Sequence, residues 1–216
     1  MNNESSNSTS TQTISRLVLA SSSPRRKELV ASMGLSLPVY ILSSDADEST
    51  RADWTPDQIV LELSLRKARA TAAMLKEHGD EQPSIIVGAD TIVVIDGDVL
   101  GKPRDREEAF LMLQRLQGRS HEVYTGVACV NSTSGQAESS CRMTRVSMKP
   151  LSDERISKYV ATGESDDKAG AYGIQGFGAA IVDRIEGCYF NVVGLPVSLL
   201  ADMLDRSGIG VFEKQV

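Results

Sequence analysis

Asp96-Gly97, set between Thr91–Ile95 and Val99–Leu100, constrains this chain more than any other local feature. An Asp-Gly pair between two strand-like runs specifies a two-residue hairpin, because both turn residues must take positive φ. The run Ser84–Gly88 just before it is a continuous apolar strand. Helical patterns alternate with these strands. Leu17–Ala20 reads as a short buried strand, followed by Ser23 as N-cap, Pro24 at the first helical position, and a helix with Leu29, Val30 and Met33 that stops at Gly34. Leu37–Leu42 is a further strand leading into the acidic loop Asp45-Ala46-Asp47-Glu48. Thr55-Pro56-Asp57-Gln58 is a capping box opening a helix to about Glu77, near Gly79.

Beyond the hairpin, Asp105–Gln117 is an amphipathic helix ending at Gly118, with Ala109, Met112, Leu113 and Leu116 on one side. Two strand-like segments, His121–Val130 and Cys141–Met148, are joined by the polar stretch Asn131–Ser139. Ser152–Thr162 is a helix closed at Gly163, and Ser165–Gly178 is a glycine-rich loop. A second hairpin, Ala179–Ile185 with Cys188–Val193, is expected to turn at Glu186-Gly187, and a last helix covers Leu199–Leu204 from about Pro196. Interleaved helices and strands with at least two hairpins imply an α/β fold with a mixed sheet. The expectation is one α/β domain over 16–216, arranged as two lobes around a cleft, behind a disordered leader at 1–15 rich in Asn, Ser and Thr.

Composition removes several function classes. A net charge of −6 over 216 residues argues against nonspecific nucleic-acid binding, though not against a small anion held in a local basic pocket. The first fifteen residues lack the basic start and apolar stretch of a signal peptide, and no apolar run approaches the ~20 residues of a membrane span. Three cysteines without a C-x-x-C pair point to neither a zinc site nor a disulfide framework, and a reducing cytoplasm is the default location. With only His78 and His121, histidine chemistry is tightly limited. The chain has no H-E-x-x-H, no G-x-S-x-G and no G-x-x-x-x-G-K-[ST], and no G-x-G-x-x-G follows the first strand. Catalytic groups, if present, are therefore expected among carboxylates, lysines and arginines.

Four segments carry such groups. Ser21–Arg26 offers helix N-terminal amides to an anion, with Arg25 and Arg26 either joining the site or simply solvated. Lys67 continues the stripe Ile59, Leu63, Lys67, Ala70, Met74, so it either snorkels outward or points into a pocket, while Arg66 and Arg69 look like surface charges. In Gly88-Ala89-Asp90-Thr91, Asp90 lies between two apolar segments, as a bonder of turn amides or as a general base or metal ligand, with Gly88 permitting close approach of a ligand. The hairpin returns Gly101-Lys102-Pro103 toward Asp90, which makes Lys102 either a neighbour of that carboxylate or a solvated lysine. The fourth segment, Asp166–Gly178, is glycine-rich but carries Tyr172, Ile174 and Phe177, more than a linker needs, and Gln175 could read a nucleobase edge.

Taken in order and spacing, Ser21–Arg26, Arg66-Lys67-Ala68-Arg69-Ala70, Gly88–Thr91, Gly101-Lys102-Pro103 and Asp167–Gly176 resemble the Maf family of nucleoside triphosphate pyrophosphatases, named for septum formation. The resemblance spans Leu17 to about Leu204. It implies a fold like that of the inosine triphosphate pyrophosphatases and hydrolysis of a nucleoside triphosphate between the α and β phosphates. It further implies Asp90 as proton acceptor, Lys67 and Lys102 in the triphosphate pocket, and Arg25, Thr91 and Gln175 in base choice, with Ser23 and Arg26 beside them. Glu48 falls near the family's acidic position linked to a divalent metal (Mg²⁺ or Mn²⁺), shared with Asp90. Ala171-Tyr172-Gly173-Ile174-Gln175-Gly176 is similar to the branch acting on dTTP and UTP, whereas the branch acting on 7-methyl-GTP has a Ser-Asp pair in place of Ala89-Asp90. A homodimer is also implied. The competing expectation is a non-catalytic nucleotide-binding regulator of cell division.

Overall fold

In the computed structural model, the structure describes residues 13–212. The expected leader therefore lies largely outside the described residues; its last residue, Ser15, bonds the Pro83 carbonyl through both its amide and its hydroxyl. The chain runs β1 (Arg16–Ala20), α1 (Pro24–Ser32), β2 (Val39–Ile41), α2 (Pro56–Glu77), β3 (Ser84–Ile95), β4 (Asp98–Leu100), α3 (Arg106–Leu116), β5 (Ser120–Asn131), β6 (Ala137–Met148), α4 (Asp153–Ala161), β7 (Val182–Glu186), α5 (Tyr189–Val193) and α6 (Val197–Arg206). Among the described residues no helix is long and apolar enough to cross a membrane.

The strands form one mixed sheet in the order β2-β1-β3-β5-β6-β7, with β4 paired to β3. β1 is parallel to both β2 and β3, and the remaining pairs are antiparallel. Asp96 (φ 54°) and Gly97 (φ 82°) make the expected hairpin turn between β3 and β4. The capping box of α2 is formed, with the Thr55 amide donating to Gln58 Oε1, and Gly79 ends the helix at φ 72°.

Side chains alternate across the sheet. Val18, Ala20, Ile86, Ala128 and Val130 face α2. The opposite face carries two clusters: Leu17, Leu19, Ile85, Val87 and Val127 under α1 and α6, and Val93, Ile95, Val123, Val146 and Met148 under α3 and α4. These clusters are the cores of two lobes that share a single sheet.

Five expectations change. β3 is continuous, so Asp90 lies inside a strand and not in a turn between two segments. Its ladder to β5 runs unbroken from Ile85 to Val94, through Gly88 and Ala89. Cys188–Val193 is not the second arm of a hairpin: β7 pairs with β6, and Tyr189–Val193 is the helix α5. A short, mostly apolar run satisfies either period, and in the helix Asn191 is buried, donating to the Val123 carbonyl and to Thr144 Oγ1. β2 covers only Val39–Ile41 of the expected Leu37–Leu42. Finally, the buried stripe of α2 centres on Val60, Ser64, Ala68 and Thr71, which puts Lys67 at its flank. The cause is close packing: a Cβ on Gly88 would overlap the Ser64 carbonyl, and one on Gly126 would overlap that of Val60. Gly88 thus admits a helix, not a ligand.

Candidate active site

The position of the site follows from how β3 changes neighbours. β1 pairs with β3 only as far as Ala20 opposite Gly88, and β4 pairs with β3 only from Val93, opposite Leu100, onward. Between those points Ala89–Ile92 has β5 on one side and no strand on the other. A cavity of about 680 Å³ opens there. Ile174 and Val193 of the first core cluster line it, as do Val93, Val123 and Tyr172 of the second, so it lies between the lobes. That volume is in the range of small-molecule sites.

Each residue that the family resemblance places at the site reaches this cavity: Ser23, Arg25 and Arg26 from the start of α1, Glu48 from the acidic loop, Lys67 from α2, Asp90 and Thr91 from β3, Lys102 after β4, and Gln175 from the glycine-rich loop. Lys67 points inward and does not snorkel. Its Nζ lies 2.5 Å from Asp90 Oδ1 and 2.8 Å from Glu48 Oε1. Asp90 is 9% exposed, and its partner is this ammonium, not a turn amide. The hydrogen bond and charge of Lys67 hold the Glu48 carboxyl below its ordinary value against partial burial, with help from Lys102 and Arg26.

Arg26 takes a structural place. Its Nε donates to the Gly194 carbonyl at 2.7 Å, and its two terminal nitrogens donate to the Ala89 carbonyl at 2.8 Å and to Thr91 Oγ1 at 3.0 Å. The guanidinium thereby caps the β3 edge that β1 and β4 leave open, satisfying a carbonyl with no strand partner. Burial lowers its pKa, opposed by the charge of Asp90. Thr91 Oγ1 continues to Thr125 Oγ1 at 2.9 Å, which donates to the Asn191 carbonyl at 2.9 Å. Arg25 remains on the cavity wall, where its Nη1 meets Asp167 Oδ2 at 3.3 Å. Burial pushes the Asp167 carboxyl up, but the Lys168 hydrogen bond and the charges of Arg25 and Lys168 outweigh it and hold the group low. Ser23 occupies the N-cap position by backbone geometry, without a capping bond from its side chain.

Arg66 departs from its expected role as a plain surface charge. It pairs with Glu62 and Asp47, donates to the Ser49 carbonyl at 2.8 Å, and stacks on Trp54. These contacts pin the loop that carries Glu48. Arg69 is exposed, as expected. Thr125 and Asn191 were missed from the sequence; the only signal was an asparagine inside the apolar run of α5.

Among the described residues no group of three or more His, Cys, Asp or Glu side chains is placed to hold a metal ion. Glu48 and Asp90 are nevertheless two hard oxygen donors gathered on one ammonium. Mg²⁺ commonly takes one or two carboxylates and completes its shell with water and substrate phosphates. The donor set therefore fits a divalent ion that arrives with a phosphorylated ligand, and it does not fit an all-protein cage.

A family model described as Maf-like protein matches residues 16–207. A dTTP/UTP pyrophosphatase of Thermoanaerobacter sp. (strain X514) is 51% identical over 191 residues, covering 88% of this chain and 96% of that protein. A protein of the same name from Pelotomaculum thermopropionicum is 48% identical over 195 residues, covering 90% and 98%. A solved nucleoside-triphosphatase / dITP/XTP pyrophosphatase from Mycobacterium abscessus aligns over 89% of this chain and 90% of its own at 16% identity, with a TM-score of 0.37, too loose a likeness to carry weight. By the extent of the family match and the identity of these relatives, the chain belongs to the Maf-like protein family.

Proposed function

We propose that residues 16–216 form one domain that hydrolyses nucleoside triphosphates, dTTP and UTP foremost, to the monophosphate and pyrophosphate. The observation that carries this reading is the Lys67 ammonium shared by Asp90 and Glu48, in a cavity whose wall also holds Arg25, Arg26 and Lys102. Carboxylates and cations facing one space suit a polyanion attacked by water. The relatives' name, dTTP/UTP pyrophosphatase, supports the same substrate class.

In the proposed reaction Asp90 takes the proton of a water attacking the α phosphorus. Lys67 engages its Oδ1, and Oδ2 remains as the acceptor. The new bond joins water oxygen to the α phosphorus; the bond from the α phosphorus to the bridging oxygen breaks, and pyrophosphate leaves with the electron pair. Lys67, Lys102 and Arg25 offset charge on the phosphates. Glu48 and Asp90 would hold a divalent cation, Mg²⁺ or Mn²⁺, which when bound supplies further charge neutralisation on the phosphates. Gln175, with a donor and an acceptor, would meet the carbonyl and imide edge of the pyrimidine, beside Arg25 and Thr91. A homodimer and a cytoplasmic location complete the proposal.

Purified protein incubated with dTTP, UTP, CTP and GTP, with and without Mg²⁺, is expected to release pyrophosphate from dTTP and UTP in a metal-dependent way. Asp90→Asn should remove this turnover while changing the melting temperature little, since Lys67 keeps Glu48 as a partner. Nucleotide binding without pyrophosphate release would instead establish the non-catalytic regulator. Residual turnover in Asp90→Asn near the parent level would remove Asp90 from the base role.

A further inference from the structure

The glycine-rich loop is wrapped around a carboxylate that belongs to the protein itself. Glu164, one residue after the glycine that ends α4, accepts the Phe177 amide on Oε2 at 2.8 Å and the Gly178 amide on Oε1 at 2.8 Å. Oε1 also accepts the Tyr159 hydroxyl at 2.9 Å, and the Tyr159 oxygen in turn accepts the Gly173 amide at 3.2 Å. Three of the loop glycines are explained by this packing. A Cβ on Gly176, whose φ is +59°, would overlap Glu164 Oε2, and a Cβ on Gly178 would overlap the Gly173 carbonyl. At Gly173 a Cβ would sit 2.8 Å from Lys168 Cε, and Lys168 Nζ is itself tied to the Glu164 carbonyl at 2.6 Å. A side chain at any of these glycines would collide with the loop itself or with the groups that anchor it.

Gln175 is the residue this arrangement brackets. The amides of Phe177 and Gly178 on one side bond Glu164 directly, and the amide of Gly173 on the other is linked to it through Tyr159. Gln175 itself lines the cavity. We propose that Glu164 is a positioning residue for base recognition, fixing the backbone on both sides of Gln175 without touching substrate. This inference rests on the reading of Gln175 as the group that meets the base.

Glu164→Gln tests it, because the amide keeps the shape and one acceptor but presents an N–H to a backbone N–H. Two readouts are needed. Hydrogen exchange of the free protein is expected to rise at 173–178 in Glu164→Gln while β3 and α2 keep their protection; unchanged exchange there overturns the anchoring whatever the substrate is. The second is a double-mutant cycle on the ratio of kcat/KM for UTP over CTP. Gln175→Ala and Glu164→Gln should each lower this ratio by about tenfold, the scale of one lost hydrogen bond to a base. The double variant should be no worse than Gln175→Ala alone. Additive losses, or a ratio untouched by Glu164→Gln, overturn the proposal. A ratio untouched by Gln175→Ala overturns both the role of Gln175 and the action of Glu164 through it. Raised exchange with no turnover of any nucleotide by the parent protein rejects the enzymatic reading and, with it, the role in base recognition, and leaves only the anchoring.

Discussion

Lys67 reaches its two carboxylates from a helix, while Asp90 is held by a strand and Glu48 by a loop. Of the three, Glu48 is the most exposed, with its side chain at 67% against 19% for Lys67 and 13% for Asp90. Its ionisation therefore reports directly on the ammonium. The Lys67 hydrogen bond is the largest cause of the lowered Glu48 pKa, followed by the Lys67 charge. A carboxyl lowered in the folded state contributes stability above its ordinary value of 4.5, and loses it as the pH falls through the folded-state value. Lys67→Met removes the two largest lowering causes and leaves the burial that raises the pKa. The Glu48 carboxyl, followed by NMR titration, is expected to move up toward 4.5. An unmoved value would assign the effect to Lys102 and Arg26. The same variant should lose on the order of 100-fold in kcat, the scale of one removed electrostatic stabiliser at a reacting phosphate.

At the scale of elements, the decisive contact is α2 pressed on the sheet through Gly88 and Gly126. Gly126→Ala would force a methyl into the Val60 carbonyl and the peptide that follows it, both of them backbone. The helix must lift, so a loss of about 3 kcal/mol is expected in urea denaturation. Gly101→Ala, with nothing within 4 Å of the new Cβ, should stay within about 0.5 kcal/mol. If Gly126→Ala matched that control, the helix would not be seated as described. This contact also separates what was legible in the sequence from what was not. The Asp96-Gly97 hairpin and the ends of α1 and α2 could be read because each rests on a local backbone preference. The seating of α2 could not, since Ser64 and Thr71 are polar, Ala68 is small, and the glycines the helix packs on are distant in sequence. Lys67 and Asp90 stood out as charges set in apolar patterns. Glu164 had no such contrast, because it lies among charged residues and only the folded loop shows what it holds. Arg26 could be placed near the site, but not on the open edge of β3, because that edge exists only once β1 and β4 have paired.

For the whole molecule, the buried His121 links pH to the stability of the lobe that holds one wall of the cavity. His121 is 2% exposed, and its Nε2 meets the Tyr172 hydroxyl at 2.6 Å. Nδ1 has no partner among the described residues. Burial lowers its pKa from 6.5 to about 4, so the folded protein resists a proton that the unfolded chain accepts. Stability should therefore fall as the pH drops from 6.5 toward 4, by up to about 3 kcal/mol from this residue alone. Carboxylates titrate in part of the same window, so the parent protein's curve alone cannot isolate the histidine. His121→Gln keeps a hydrogen-bonding group for Tyr172 and cannot take up the proton. Denaturation of both proteins at pH 7, 6, 5 and 4 should show the variant losing less stability than the parent, whatever their difference at pH 7. The carboxylate contributions cancel in that comparison. Parallel curves would mean that His121 protonates without opening the contact with Tyr172. In that case the wall of the cavity formed by Tyr172 would hold in acid.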